Sequence, residues 1–198
     1  MIDERFTILG SIIVALGGAS YLIDTVRGKV RPNKVSFFLW SLAPLIAFAA
    51  QLKEGVSFYL ALITCVAGVE PLLIFIASFF NKNAEWKIRK FDIFCAVISI
   101  LGLIVWQVTK TGYIAIVFSI LADGMASLPT LIKSFHNPET ESGWPYLATV
   151  ISAVITLLVA RDYSLSSIGF TIYLFVVCLI IFTLVQFKVG RIFKKITV

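Results

Sequence analysis

Residues 127–146 read SLPTLIKSFHNPETESGWPY. Pro129 stands inside an apolar run, a short polar knot around Asn137 and Pro138 follows, and Trp144, Pro145 and Tyr146 open the next apolar run. An interior proline removes one backbone hydrogen bond and bends a helix. The residue before Pro138 is pushed out of helical conformation, which turns the chain. Pro145 falls in a first turn, where a missing N–H costs little. The stretch therefore predicts a bent helix, a tight turn and a second helix, with Ser142 as the N-cap of the second, or Thr140 or Glu141 sharing that work.

Working outward, apolar runs recur along the whole chain: Phe6–Val26, Val35–Leu52, Val56–Phe80, Phe91–Thr109, Tyr113–Ser134, Trp144–Ala160 and Ser166–Lys188. Each is near the roughly 20 residues a helix needs to cross the hydrocarbon core. Hydrophobic residues make up 59%, charged residues only 14%, and mean hydropathy is +0.97. A soluble domain of this size could not cover that much apolar surface with polar side chains. Long unbroken runs favour helices over barrel strands. The expected class is an all-α integral membrane protein with seven transmembrane helices. Met1 to Arg5 is no basic leader, so the first run is expected as a span rather than a signal peptide. Cys65, Cys95 and Cys178 fall inside spans and read as apolar packing residues.

The net charge of +6 is unevenly distributed. Arg27, Lys29, Arg31, Lys34, Lys82, Lys87, Arg89, Lys90, Lys133, Lys188, Arg191, Lys194 and Lys195 share one side of the expected topology. Arg5, Lys53, Lys110 and Arg161 hold the other. A thirteen-to-four division of the basic residues predicts an outside N-terminus and a cytoplasmic C-terminus in the cell membrane. It also assigns the basic loops to orientation and lipid headgroups, not nucleic acid.

Shifting the chain by 106 residues superposes its halves: Gly18 on Gly124, Leu22 on Leu128, Arg27 on Lys133, Pro32 on Pro138, Ser36 on Ser142, Phe38 on Trp144 and Trp40 on Tyr146. The fourth run has no counterpart. The domains expected are residues 1–81, a first three-helix repeat; 82–110, a linker helix; and 111–198, a second three-helix repeat. A three-span unit reverses direction. The extra helix restores a parallel orientation, so the two triplets are expected as parallel three-helix bundles flanking a central pathway.

This 3+1+3 plan and loop placement resemble the PQ-loop superfamily, including the SWEET sugar transporters. Pro129 and Thr130 stand where that superfamily's Pro-Gln pair ends a repeat's first helix, and Trp144, Pro145 and Tyr146 are similar to the Pro-Tyr start of the next helix. In the first copy Ile23 and Asp24 take the equivalent place and Leu39 aligns with Pro145, with Pro44 five residues on. The third and seventh spans lack the asparagines that SWEETs use around sugar. The chain looks like a divergent member, and the resemblance does not carry sugar over as substrate.

Two intramembrane acids stand out. Glu70 follows Gly68 and precedes Pro71, and Asp123 precedes Gly124, six residues before Pro129. An acid at the bilayer centre costs about 3 kcal/mol even on insertion scales, so each is expected to face a cavity or a partner. They are candidates for a proton or cation site, or for the counter-charge of a cationic solute; the alternative is a hydrogen bond to a neighbouring Ser, Thr or Tyr. Trp40, Tyr146 and Tyr173, with Trp106 and Gln107, are candidate pathway residues that could stack on a ring-shaped solute. Trp86 and Trp144 read as interface anchors. Asp24 and Asp92 read as salt-linked surface residues, and Glu139 and Glu141 as local partners of Lys133. Pro44, Pro71, Pro129, Thr130 and Pro145 are the candidate hinge or gate positions.

The expected function is small-solute transport by alternating access between the two bundles, coupled to protons if the acids titrate. The alternative is a receptor or sorting protein of KDEL-receptor-like fold that moves no solute. No Ser-His pair, metal cluster or phosphate loop suggests an enzyme, and no cofactor or metal is expected. The expected partners are a small-molecule solute, protons and the lipid bilayer; a homo-oligomer is left open.

Overall fold

The structure, a computed structural model, describes residues 6–53, 58–81, 90–109, 112–160, 163 and 165–196. Arg5, Lys82, Lys87, Arg89, Lys110, Arg161 and Trp86 lie outside the described residues, as do the side chains of Lys53, Asp92, Trp106, Lys194 and Lys195. Among the described residues the chain is all-α. The helices are α1 (Phe6–Val26), α2 (Lys34–Lys53), α3 (Phe58–Ala77), α4 (Lys90–Thr109), α5 (Gly112–His136), α6 (Trp144–Val159), α7 (Leu165–Gln186) and α8 (Val189–Ile196). The first seven coincide with the seven apolar runs to within a few residues. Among the described residues, α1 is long and apolar enough to cross a membrane.

Local chemistry sets the helix ends. Gly28 adopts φ 73°, a left-handed conformation that costs other residues about 1–2 kcal/mol. Its amide donates to the Thr25 carbonyl at 3.0 Å and that of Lys29 to Asp24 at 2.9 Å, which closes α1. Asn33 caps α2, its Oδ1 accepting from the amides of Val35 and Ser36 at 3.0 and 3.3 Å. The cap expected at the start of α6 differs. Gly143 takes that position with no side-chain bond. Pro145 in the first turn has already removed one donor, Thr140 Oγ1 donates instead to the Asn137 carbonyl at 2.8 Å, and Glu141 is engaged elsewhere. The sequence reading also missed α8. Lys188, at φ 50°, ends α7 and redirects the chain into it.

Packing closes a ring. α1 packs on α3, α3 on α2, α2 on α5, α5 on α7, α7 on α6, and α6 back on α1, while α4 lies against α5. In each triplet the third helix is thus inserted between the first and second. The seams across the triplets are also related: α1 meets α6, and α2 meets α5. Small residues make the α1–α6 seam. A Cβ on Gly10 would meet Ser152 Oγ at 2.8 Å, and one on Gly17 would meet Ala148 Cβ at 2.7 Å and Pro145 Cα at 3.1 Å. Across the α2–α5 seam Ser36 Oγ donates to the Ala126 carbonyl at 2.6 Å. Close backbone approach through Gly, Ala and Ser is how helices associate where apolar burial offers no gain.

Beside two apolar clusters, several polar side chains are buried and many large apolar ones face outward. Ser36, Ser78, Ser127, Thr130 and Ser134 are fully buried, and Lys34 and Glu141 nearly so. Leu16, Val26, Leu73, Val108, Leu158 and Val176 face outward. Asp24 pairs with Lys29 at 3.5 Å near the surface, as its sequence context suggested. Glu139 pairs with Arg191 of α8 at 2.6 Å rather than with Lys133. Both partners are half exposed, so the pair is worth no more than about 1 kcal/mol. A backbone hydrogen bond at Glu139, with Arg191 beside it, holds its carboxyl below the usual range.

Candidate functional site

Gly18 of α1 is where the site begins. A Cβ there would fall on the carboxyl group of Glu70, so only glycine lets α3 lay this acid against the α1 backbone. Glu70 Oε2 is buried and has no hydrogen-bond partner among the described residues. Gly124, the repeat counterpart of Gly18, faces Tyr173 of α7, whose ring and hydroxyl lie 3.8 Å from a Cβ built there. Glu70 and Tyr173 therefore occupy corresponding places in the two triplets, each against the glycine of the first helix. The 106-residue shift missed this because it pairs Glu70 with Val176, three residues further along α7. Tyr173 donates its hydroxyl proton to Asp123 Oδ2 at 2.7 Å.

The two acids lie in separate triplets, Glu70 on α3 and Asp123 on α5. Tyr146 and Cys178 are buried together with Val150, Val177, Ile181 and Val185, and Trp40 of α2 packs against this cluster. Trp40 also packs on the second cluster, Tyr21, Val30, Phe37 and Ile74, and so bridges the two. It meets Phe37 edge-on at 5.3 Å, and Phe37 lies 5.1 Å from Tyr21.

Glu70, Asp123, Trp40, Tyr146 and Tyr173 are thus gathered where the triplets face one another. Gln107 is not: it is exposed on α4, outside the ring. Pro44, Pro71 and Pro129 lie inside α2, α3 and α5. Pro129 and Thr130 are buried, whereas Pro145 is fixed by its contact with Gly17. Trp144 is exposed, as an interface anchor would be. Cys65, Cys95 and Cys178 are free thiols. Among the described residues, no group of three or more His, Cys, Asp or Glu gathers as metal ligands would.

Sequence reasoning found only part of one polar cluster, the pairing of Glu141 with Lys133. Tyr21 donates to Glu141 Oε2 at 2.6 Å, and Lys133 Nζ lies 2.6 Å from Glu141 Oε1. Only the opposite charges of Lys133 and Glu141 hinted at it; a tyrosine in an apolar run reads as an interface aromatic.

Chemically, the site offers one unpartnered carboxylate oxygen, one carboxylate held by a phenol, and an aromatic wall. It suits proton exchange or recognition of a positively charged solute. Tyr173→Phe is expected to leave Asp123 short of a donor and to lower unfolding free energy by about 1–3 kcal/mol, measured by denaturation in mild detergent. Added to Asp123→Ala, the same change should cost less than the sum of the two, since both remove one interaction.

No family model, curated protein or solved structure matches this chain.

Proposed function

We propose that this protein is a multi-pass membrane transporter for a small solute, working by alternating access between two three-helix bundles. Its seven long helices span the bilayer in a 3+1+3 order, with the N-terminus outside and the C-terminus in the cytoplasm. The observation that carries the reading is that each triplet holds one acid within a closed ring of six helices, Glu70 against Gly18 of α1 and Asp123 bonded to Tyr173 of α7. A bilayer would not tolerate either acid on its lipid face. The many large apolar side chains on the outer surface support the membrane assignment. The repeated packing order supports two equivalent bundles, and parallel repeats place their substrate site at the interface between them.

The roles follow from position. Glu70 and Asp123 exchange protons or offset a solute cation, while Trp40, Tyr146 and Tyr173 shape the path. Pro44, Pro71 and Pro129 each free a backbone carbonyl one turn earlier, those of Trp40, Ala67 and Met125, and let the helices flex.

Purified protein in liposomes would be screened for uptake of sugars, vitamins, amino acids and amines, with and without a pH gradient. Saturable uptake is the expected result. A folded protein that moves none of them would shift the balance to a receptor or sorting protein of the same architecture. Pro129→Ala restores a helical N–H and is expected to keep or raise stability, by up to about 3 kcal/mol, while slowing turnover. Unchanged turnover would remove Pro129 from the moving parts.

A further inference from the structure

Four contacts gather where the α1–α2 link meets the α5–α6 link. The Arg31 amide donates to the Thr140 carbonyl at 2.8 Å. Lys133 Nζ donates to the Arg31 carbonyl and pairs with Glu141 at 2.6 Å. The Tyr21 hydroxyl donates to the other oxygen of the same carboxylate at 2.6 Å. The Glu141 side chain is fully buried, and that of Lys133 is 19% exposed. Three of these contacts cross from the first triplet to the second. Glu141 binds Tyr21 of α1 with one oxygen and Lys133 of α5 with the other, and Lys133 returns to the first triplet through Arg31.

The geometry points to a latch: the chain Tyr21–Glu141–Lys133–Arg31 carbonyl closes the basic-loop end of the central path and must break for that end to open. This rests on the transport reading. Tyr146 connects latch and site: it stands in the first turn of α6, shortly after Glu141, and is buried in the same cluster as Cys178. A charged latch has a physical advantage over an apolar plug. Burying two ions is costly, and their mutual attraction only about offsets that cost. On opening, water rehydrates both, so the open state is not penalised as exposed leucines would be. Asn81 Nδ2, at the foot of α3, donates to the Val30 carbonyl at 2.8 Å and holds the α1–α2 link to its own triplet, so the link moves with that bundle.

Cys178 supplies a native reporter. A membrane-impermeant maleimide would be presented to the basic-loop face of inverted membrane vesicles, and labelling of Cys65, Cys95 and Cys178 followed separately by peptide mass spectrometry. In the unmodified protein Cys178 should be protected. Glu141→Ala and Lys133→Ala should each speed its labelling by about tenfold or more, equivalent to about 1.4 kcal/mol on the closed state. Tyr21→Phe should speed it less. Lys133→Arg, which keeps the charge and the donors to both Glu141 and the Arg31 carbonyl, should retain protection. If Cys178 labelling is unchanged in folded single variants, the latch is overturned. If all three cysteines speed up together, the alanine variants have unfolded; Glu141→Gln, which keeps the shape and removes the charge, then decides, and unchanged Cys178 labelling in it overturns the latch. Uptake is scored separately. Uptake with unchanged Cys178 labelling sinks the latch alone, and latch-dependent labelling without uptake sinks the transport reading alone.

Discussion

Glu70→Gln should abolish solute uptake, with a fall of about a hundredfold or more, about 2.7 kcal/mol, while leaving the protein at least as stable as before. The two halves of that expectation have one cause. Glu70 is packed against the Gly18 backbone with Oε2 buried and unpartnered. A charge there loses its hydration without a compensating bond, which is costly to the fold. Glutamine keeps the shape and removes the charge, so stability should hold or rise. It also removes the capacity to exchange a proton or face a cation, so function should go. Asp123→Asn should be milder, because the Tyr173 hydroxyl, 2.7 Å away, can still donate to the amide oxygen. The measurements are liposome uptake with and without a pH gradient, alongside thermal unfolding. Uptake at the unmodified rate, with unchanged dependence on the gradient, would take Glu70 off the pathway.

Gly17→Leu should prevent α1 and α6 from docking, so that little folded protein is recovered. Gly17→Ala should already lower stability by about 1–3 kcal/mol. The added Cβ meets Ala148 Cβ at 2.7 Å and Pro145 Cα at 3.1 Å. These are a short side chain and backbone, neither able to swing aside, so the whole of α6 must retreat. Gly124→Ala is the control, since the nearest atoms of Tyr173 stand 3.8 Å from the new Cβ. That change should be neutral or slightly stabilising, by up to about 1 kcal/mol from helix propensity. Denaturation of the three variants in the same detergent decides the matter. Equal effects of alanine at 17 and 124 would mean that the α1–α6 seam is looser than these distances require.

Much of the candidate site was legible because acids inside long apolar runs are rare and costly to bury. Glu70 and Asp123 stood out by position alone, and Trp40 and Tyr146 by their correspondence across the repeat. Of the Tyr21–Glu141–Lys133 cluster, the Lys133–Glu141 pairing was legible and the part played by Tyr21 was not. Tyr21 and Glu141 are 120 residues apart, and neither side chain is unusual in its local context. Gln107 misled for the mirror-image reason: a polar residue in an apolar run looked like a pathway residue, but the face of α4 that carries it points away from the ring.

By itself the sequence determined where the helices run, because apolar length, interior prolines and turn residues act within a few positions of one another. α1 to α7 lie where the seven runs predicted, and Gly28 and Asn33 end and begin helices by purely local bonds. The order of the ring was decided only in three dimensions. Where the surroundings are as apolar as the interior, an apolar side chain does not reveal which face of its helix is covered. That choice falls to where small residues let backbones meet, as at Gly17 against Ala148, and to polar groups that find each other across the fold, as Ser36 finds the Ala126 carbonyl. Those pairings set Glu70 against the Gly18 backbone and Asp123 against Tyr173.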